Sequence, residues 1–260
     1  MRKRTDRLLV ERGLAPSREK AQALVMAGLV SSGGRAVLKA GELVDETADL
    51  LVQKPLPYVG RGGLKLEEAL DRFGIGVRGE VALDVGSSTG GFTDCLLQRG
   101  AGKVYAVDVD TKQLDWALRR DPRVVLVEKN ARHLAAEDIG EAPGVVTLDL
   151  SFISLLKVLP ALREIPGDWV LLTLIKPQFE AGRKQVGKKG VVRDPVIHED
   201  VLARVVEGAR ELGFGLEGLF ACSTRGQKGN REFFARWAKG KPDLNRDLIP
   251  SWIKEAASHA

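Results

Sequence analysis

The sequence predicts an α/β protein: a small N-terminal α+β domain, then a doubly wound, mostly parallel sheet with an antiparallel strand near the C-terminus. Three observations carry this. From Val81 onward, short apolar runs of strand length alternate with stretches of helical period. The first of those runs breaks into a glycine-rich turn, LDVGSSTGGFTD (residues 83–94), before a helical pattern resumes. Before Val81 the pattern differs, and Lys54-Pro-Leu-Pro57 separates the two regimes.

Residues 1–53 form the first regime. Thr5 is placed to cap a helix carrying Leu8, Leu9 and Arg12, closed by Gly13. Ser17 is placed to cap a second, with Ala21, Leu24 and Val25 on one face and Gly28 ending it. Strand-like pieces follow at Leu29-Val30, Val37-Leu38 and Leu50-Val52. In residues 1–20 the cations Arg2, Lys3, Arg4, Arg7, Arg12, Arg18 and Lys20 outnumber Asp6, Glu11 and Glu19. That excess suits either a solvated helical face or a surface that meets phosphate. Residues 54–62 read as a linker, because closely spaced prolines favour an extended connector.

Residues 63–240 form the second regime. Arg61-Gly-Gly63 leads into a helix over Leu64–Phe73. Strands are expected at Val81–Val85, Val104–Asp108, Val124–Glu128, Val145–Leu150 and Trp169–Ile175. Helices are expected at Thr93–Arg99, Leu114–Arg119, around Leu155–Leu162 and at Glu199–Leu212. Phe214–Ala221 and Glu232–Ala238 have no helix between them and read as a hairpin. Residues 241–260 read as a short, proline-interrupted tail.

Composition narrows the chemistry. Two distant cysteines, Cys95 and Cys222, and three scattered histidines give neither a disulfide framework nor a metal-ligand pattern, so no metal is expected. The basic start MRKRTDR lacks a following apolar segment, and apolar runs fall far short of the roughly 20 residues a membrane helix needs. A cytoplasmic protein without a membrane partner is the expectation. A net charge of +5 permits an anionic partner without requiring one.

In a doubly wound sheet a ligand lies beyond the carboxyl ends of the strands. Gly86, Gly90 and Gly91 would let backbone approach it closely. Asp84 stands at the strand end, where its carboxylate would repel a pyrophosphate and accept a cationic group. S-adenosylmethionine, with its sulfonium and amino groups, therefore suits this turn better than NAD. Asp108 ends the next strand and is placed to accept hydrogen bonds from ribose hydroxyls. Downstream, Asp149 and Lys176 end two further strands at the same sheet edge.

With these motifs, and with RGGLKL, VYAVDV, DLSFISL, KPQFE, GVVRDP and GNREFF, the chain resembles the TlyA, or hemolysin-A-like, ribosomal RNA 2'-O-methyltransferases. These belong with the FtsJ-like methyltransferases. The likeness spans nearly the whole chain, and RLLVERGLAPSREKAQALVMAGLV resembles an S4 RNA-binding domain. It implies a class I, Rossmann-like methyltransferase domain, S-adenosylmethionine as cofactor, and ribosomal RNA or a ribosomal subunit as partner. It also implies a catalytic tetrad of Lys65, Asp149, Lys176 and Glu232, with Lys176 as base, acting on the 2'-hydroxyl of a cytidine ribose. Cofactor contacts would fall on Asp84, Gly86, Ser87, Gly90, Phe92, Asp108, Asn130 and Asp149. RNA contacts are expected from Arg4, Arg7, Arg18 and Lys20, and from the loop cations Arg183, Lys184, Lys188 and Lys189. Residues 109–112 and CSTRGQKGN depart from the family pattern. A non-catalytic RNA-binding or ribosome-assembly module, or a hemolysin, are the other readings of such a chain.

Overall fold

The computed structural model describes residues 1–53, 56–182, 185–187 and 190–258, with the backbone alone at Gln227. Lys54, Pro55, Arg183, Lys184, Lys188 and Lys189 lie outside the described residues. The chain divides into two compact units, Met1–Leu56 and Pro57–Ala260.

The first unit runs β1 (Arg2–Arg4), α1 (Thr5–Glu11), α2 (Arg18–Met26), β2 (Val30–Ser32), β3 (Arg35–Ala36), β4 (Leu43–Asp45) and β5 (Leu50–Val52). Leu8, Leu9, Ala21, Val25, Val30, Val44 and Leu50 form its core. Ser17 caps α2, its hydroxyl accepting the Lys20 N–H at 3.3 Å. Thr5 does not cap α1. It lies inside the helix, where its hydroxyl donates to the Glu42 carbonyl at 2.9 Å, and Arg4 takes the cap position. The expected strand at Val37-Leu38 falls two residues earlier, at β3. β1 and β4, paired antiparallel with Lys3 opposite Val44, have no counterpart in the sequence reading. Three-residue strands are held by a distant partner and leave no readable period in the chain.

The second unit contains α3 (Gly62–Phe73), β6 (Val81–Val85), α4 (Gly91–Gln98), β7 (Lys103–Asp108), α5 (Trp116–Arg119), β8 (Val124–Glu128) and β9 (Val145–Leu148). It continues with α6 (Leu159–Arg163), β10 (Val170–Ile175), α7 (Pro177–Glu180), α8 (Pro195–Glu211), β11 (Phe214–Ala221), β12 (Phe233–Lys239) and α9 (Ile249–Ser258). One seven-stranded sheet has the order β11-β12-β10-β9-β6-β7-β8. All its pairings are parallel except those of β12, which is antiparallel to both β10 and β11.

The period of two along each strand feeds two cores, one on each face. Leu83, Val85, Val107, Val146 and Leu171 meet α6, α8 and α9 on one side. Ala82, Val104, Ala106 and Leu172 meet α3 and α4 on the other. α8 begins four residues before the predicted Glu199, because Asp194 caps it and Pro195 takes its first position. Residues 241–260, expected as a tail, carry α9, which buries Ile249, Ala256 and Ala257. From β6 the chain moves one way to β7 and β8, and from β9 the other way to β10. The carboxyl ends of β6 and β9 therefore mark the switch point, where such sheets bind ligands.

Candidate active site

The turn after β6 is shaped by close approach. Gly86 has φ +87°, and a Cβ there would lie 2.3 Å from the Asp149 carbonyl oxygen. This glycine lets the ends of β6 and β9 come together. Gly90 has φ +98°, and a Cβ there would lie 2.3 Å from Leu118 Cδ1. Its freedom serves packing on α5, so the expectation that Gly90 faces the ligand does not describe its surroundings. The loop is tied to β7 through the Gly86 and Ser87 N–H groups, which donate to the Val107 carbonyl at 2.8 and 3.0 Å. Asp108 holds it from the side, accepting the Ser88 N–H at 2.9 Å and the Asp110 N–H at 3.2 Å.

Asp84 is fully buried beneath this loop and is not among the residues lining the cavity above it. Its two oxygens accept the hydroxyls of Thr93 at 2.6 Å and Thr147 at 3.0 Å, linking α4 to β9. Burial pushes its carboxyl up to about 7, against the two hydroxyl donors. The structure thus places Asp84 as a strut of the loop, where the sequence argument had it touching the cofactor.

A cavity of about 870 Å³ opens over the ends of β6, β7, β9 and β10. Gly86, Ser87, Phe92, Asp108, Asn130 and Asp149 line one part of it. Phe92 is mostly core, stacked on Phe234 at 5.8 Å between ring centres. The Asn130 side-chain oxygen accepts the Arg132 N–H at 3.1 Å. Ser87 Oγ is buried and has no hydrogen-bond partner among the described residues. A buried hydroxyl left in this way is a place a polar ligand would fill.

Lys65, Asp149, Lys176 and Glu232 line the same cavity, brought from α3, from the residues that follow β9 and β10, and from the residue before β12, across as many as 167 residues of separation. They sit as two ion pairs. Lys65 and Glu232 are both buried and joined directly, and Glu232 also accepts from Gln178 Nε2 at 3.1 Å. Lys176 Nζ lies 2.6 Å from Asp149 Oδ1 and donates to Ser151 Oγ at 3.2 Å. A buried and a half-buried cation are tolerable because each has a carboxylate at contact, and removing either partner would strand a charge. Gly226 packs so tightly on Glu232 that a Cβ would lie 2.0 Å from its carboxylate.

The sequence reading passed over Phe152. It is 90% exposed at the cavity mouth, has φ +66°, and its ring lies 5.0 Å from that of Phe179. An aromatic ring held open to solvent in the left-handed region is an offered stacking surface. The available signal was an aromatic residue three positions after a strand-ending Asp.

In the first unit, the candidate RNA contacts divide. Arg4 and Arg18 both pair with the buried Asp6 at 2.9 Å, and Gln22 donates to it at 3.2 Å. These donors, Arg4 first, hold the Asp6 carboxyl well below the usual range. Arg7 and Lys20 are exposed. The loop cations Arg183, Lys184, Lys188 and Lys189 are among the residues not described.

Comparison with known proteins gives the family. An FtsJ-like methyltransferase profile matches residues 58–239, and an S4 domain profile matches residues 3–50. The 16S/23S rRNA (cytidine-2'-O)-methyltransferase TlyA of Mycobacterium tuberculosis is 44% identical over 263 residues, covering 100% of this chain and 97% of that one. YqxC of Bacillus subtilis, described as a candidate rRNA methyltransferase, is 50% identical over 89% of this chain and 84% of its own. A solved structure from Streptococcus thermophilus, described as a candidate hemolysin, is 42% identical. It covers 99% of this chain and 96% of its own, with a TM-score of 0.76.

Proposed function

Because this chain belongs to the FtsJ-like methyltransferase family, we propose that it methylates a ribose 2'-hydroxyl in ribosomal RNA, using S-adenosylmethionine. The observation that carries this reading is the convergence of Lys65–Glu232 and Lys176–Asp149 on one cavity at the switch point of the sheet.

The residues present fit the cofactor. Ser87, Asp108 and Asn130 would hold its polar groups, and the glycine turn leaves its backbone open to it. S-adenosylmethionine, when bound, supplies an electrophilic methyl group. The rest is the work of this chain's own side chains. A ribose hydroxyl is a poor nucleophile, so its proton must leave as the new bond forms. Lys176 Nζ, as the neutral amine that it must first become by releasing its own proton, is the acceptor for that proton, and Asp149 holds the Nζ in place. Lys65 and Glu232, locked to each other and to Gln178, form the rigid wall that orients the ribose. Most of the acceleration comes from this alignment. Phe152 gives the target base a ring to stack on.

The likeness to TlyA of M. tuberculosis supports a cytidine of ribosomal RNA as the target, and the proposal takes that RNA, alone or in a ribosomal subunit, as the partner. Among the described residues no helix is long and apolar enough to cross a membrane, so nothing in the helices favours a lytic reading. A map of 2'-O-methyl sites in ribosomal RNA from cells with and without this protein tests the proposal. Loss of one or more cytidine methylations in its absence is the expected result, and identical maps would overturn it.

A further inference from the structure

The loop joining β11 to β12, Cys222-Ser-Thr-Arg-Gly-Gln-Lys-Gly-Asn-Arg-Glu232, departs from the family pattern in lacking a proline before its glycine-rich turn, and it is densely basic. Arg225, Lys228 and Arg231 fall within seven residues, with no carboxylate between Ser223 and Arg231. The backbone ties this loop into a knot. The Gly226 N–H donates to the Asn230 carbonyl at 2.8 Å, and the Gly229 N–H to the Gly226 carbonyl at 3.2 Å. Asn230 is buried and fastens the knot to the neighbouring segment, accepting the Val192 N–H at 3.2 Å and donating to the Gly190 carbonyl at 3.0 Å.

Lys228 sits at the apex with φ +57°, a left-handed conformation that glycine adopts freely and lysine does not. Strain of this kind persists where the surroundings impose it, and it clusters at functional sites. Lys228 lines the same cavity as Lys65 and Glu232, is exposed, and has no ion pair with any carboxylate among the described residues. Arg225 is exposed and close enough to Arg231 that its charge, after burial, presses Arg231 toward the neutral form. Arg231 Nε is buried without a hydrogen-bond partner among the described residues. Three cations on one hydrogen-bonded knot, two of them repelling and none in an ion pair among the described residues, are arranged for an anion from outside the chain.

We propose that this loop grips the RNA backbone beside the target ribose, Lys228 meeting the adjoining phosphate and Arg225 and Arg231 those next to it. The inference rests on the proposed RNA methyltransferase function. The other anion within reach is the carboxylate of the cofactor, and the test separates the two.

The full-length protein is compared with Lys228→Gly, which removes the charge and relieves the backbone, and with Lys228→Gly/Arg225→Gln. Melting temperature should hold or rise in Lys228→Gly, since glycine suits the conformation. Binding of a fluorescein-labelled, cytidine-rich single-stranded RNA is measured from about 50 to 200 mM salt, beside calorimetry with S-adenosylhomocysteine. Each phosphate interaction removed should shallow the log–log salt slope by about 0.7. RNA affinity should fall at low salt, KM for RNA should rise more than kcat falls, and S-adenosylhomocysteine affinity should be unchanged. Equal RNA affinity and slope in all three proteins would overturn the proposal, as would a loss confined to S-adenosylhomocysteine. Methyl transfer by the parent protein is scored in the same series. Its absence would count against the proposed function alone, because the loop is judged from the binding curves.

Discussion

Lys176 and Asp84 illustrate two ways a charged residue ends a buried strand. Lys176 is held at the cavity by Asp149 and Ser151, facing the space where a ribose would lie. Replacing it with alanine removes the proton acceptor and the partner of Asp149 but leaves Ser87, Asp108 and Asn130 untouched. Lys176→Ala should therefore lose methyl transfer by about 10²- to 10⁴-fold. Cofactor affinity should change by less than about tenfold, or about 1.4 kcal/mol. A radiolabelled methyl assay beside calorimetry reads both, and near-normal turnover would remove Lys176 from the role of base. Asp84 faces inward instead. Its folded carboxyl is raised to about 7, whereas an exposed aspartate titrates near about 3.9. Between those values the folded protein binds more protons than the unfolded chain, so this residue makes stability fall as pH rises from about 4 to about 7. Asp84→Asn carries no such proton. The stability gap between wild type and Asp84→Asn, measured by urea melts, should narrow across that window. Parallel curves would mean that Asp84 is ionised in the folded state throughout.

The elements that carry the site were largely legible in the chain, and the reasons differ from strand to strand. β6 and β8 span the residues expected of them because each is an apolar run cut off by a turn residue. β1 and β4 were not legible, since neither has a period of its own. α9 was hidden by the prolines at 242 and 250, of which Pro250 lies in the first turn of the helix, where a proline is tolerated. The glycine turn was found for a reason that holds at only part of its length. Gly86 permits the approach of β9 that sets Asp149 in place. Gly90 answers to Leu114 and Leu118, which no local reading of DVGSSTGG contains. This difference is testable at the level of the turn. Gly90→Ala adds a methyl group where Leu118 already stands and imposes φ +98° on a residue with a Cβ. It should destabilise the second unit by about 1–3 kcal/mol through overpacking. Gly76→Ala, where a Cβ meets nothing within 4 Å and φ is not left-handed, should lie within about 0.5 kcal/mol of wild type. Thermal melts that rank the two alike would refute the packing account of Gly90.

For the whole molecule, the division between Leu56 and Pro57 leaves the proposed chemistry wholly in the second unit. Every residue lining the cavity lies from Gly60 onward, and both cores of the sheet are built from residues beyond Pro57. The first unit has its own core and carries a dense set of cations, but not all of them are available to a partner. Arg4 and Arg18 are drawn onto Asp6, Arg12 donates to the carbonyls of Glu46 and Ala48, and Lys3 pairs with Glu11. That leaves Arg2, Arg7, Lys20 and Lys39 exposed and without an ion pair among the described residues. Removing residues 1–56 should leave a domain that folds and binds cofactor, because neither its core nor its cavity is cut. What should weaken is its hold on RNA. If these four cations each meet a phosphate, and each is worth about 0.7 to 0.9 in the log–log dependence on salt, their removal shallows the slope by roughly 3 to 4. Binding titrations of both proteins at several salt concentrations give that number directly. A change in slope near about 5 would mean that Arg4 and Arg18 leave Asp6 for RNA. Equal slopes and equal affinities would mean that the N-terminal cations meet only solvent, and the RNA-binding role of the first unit would then have to be given up.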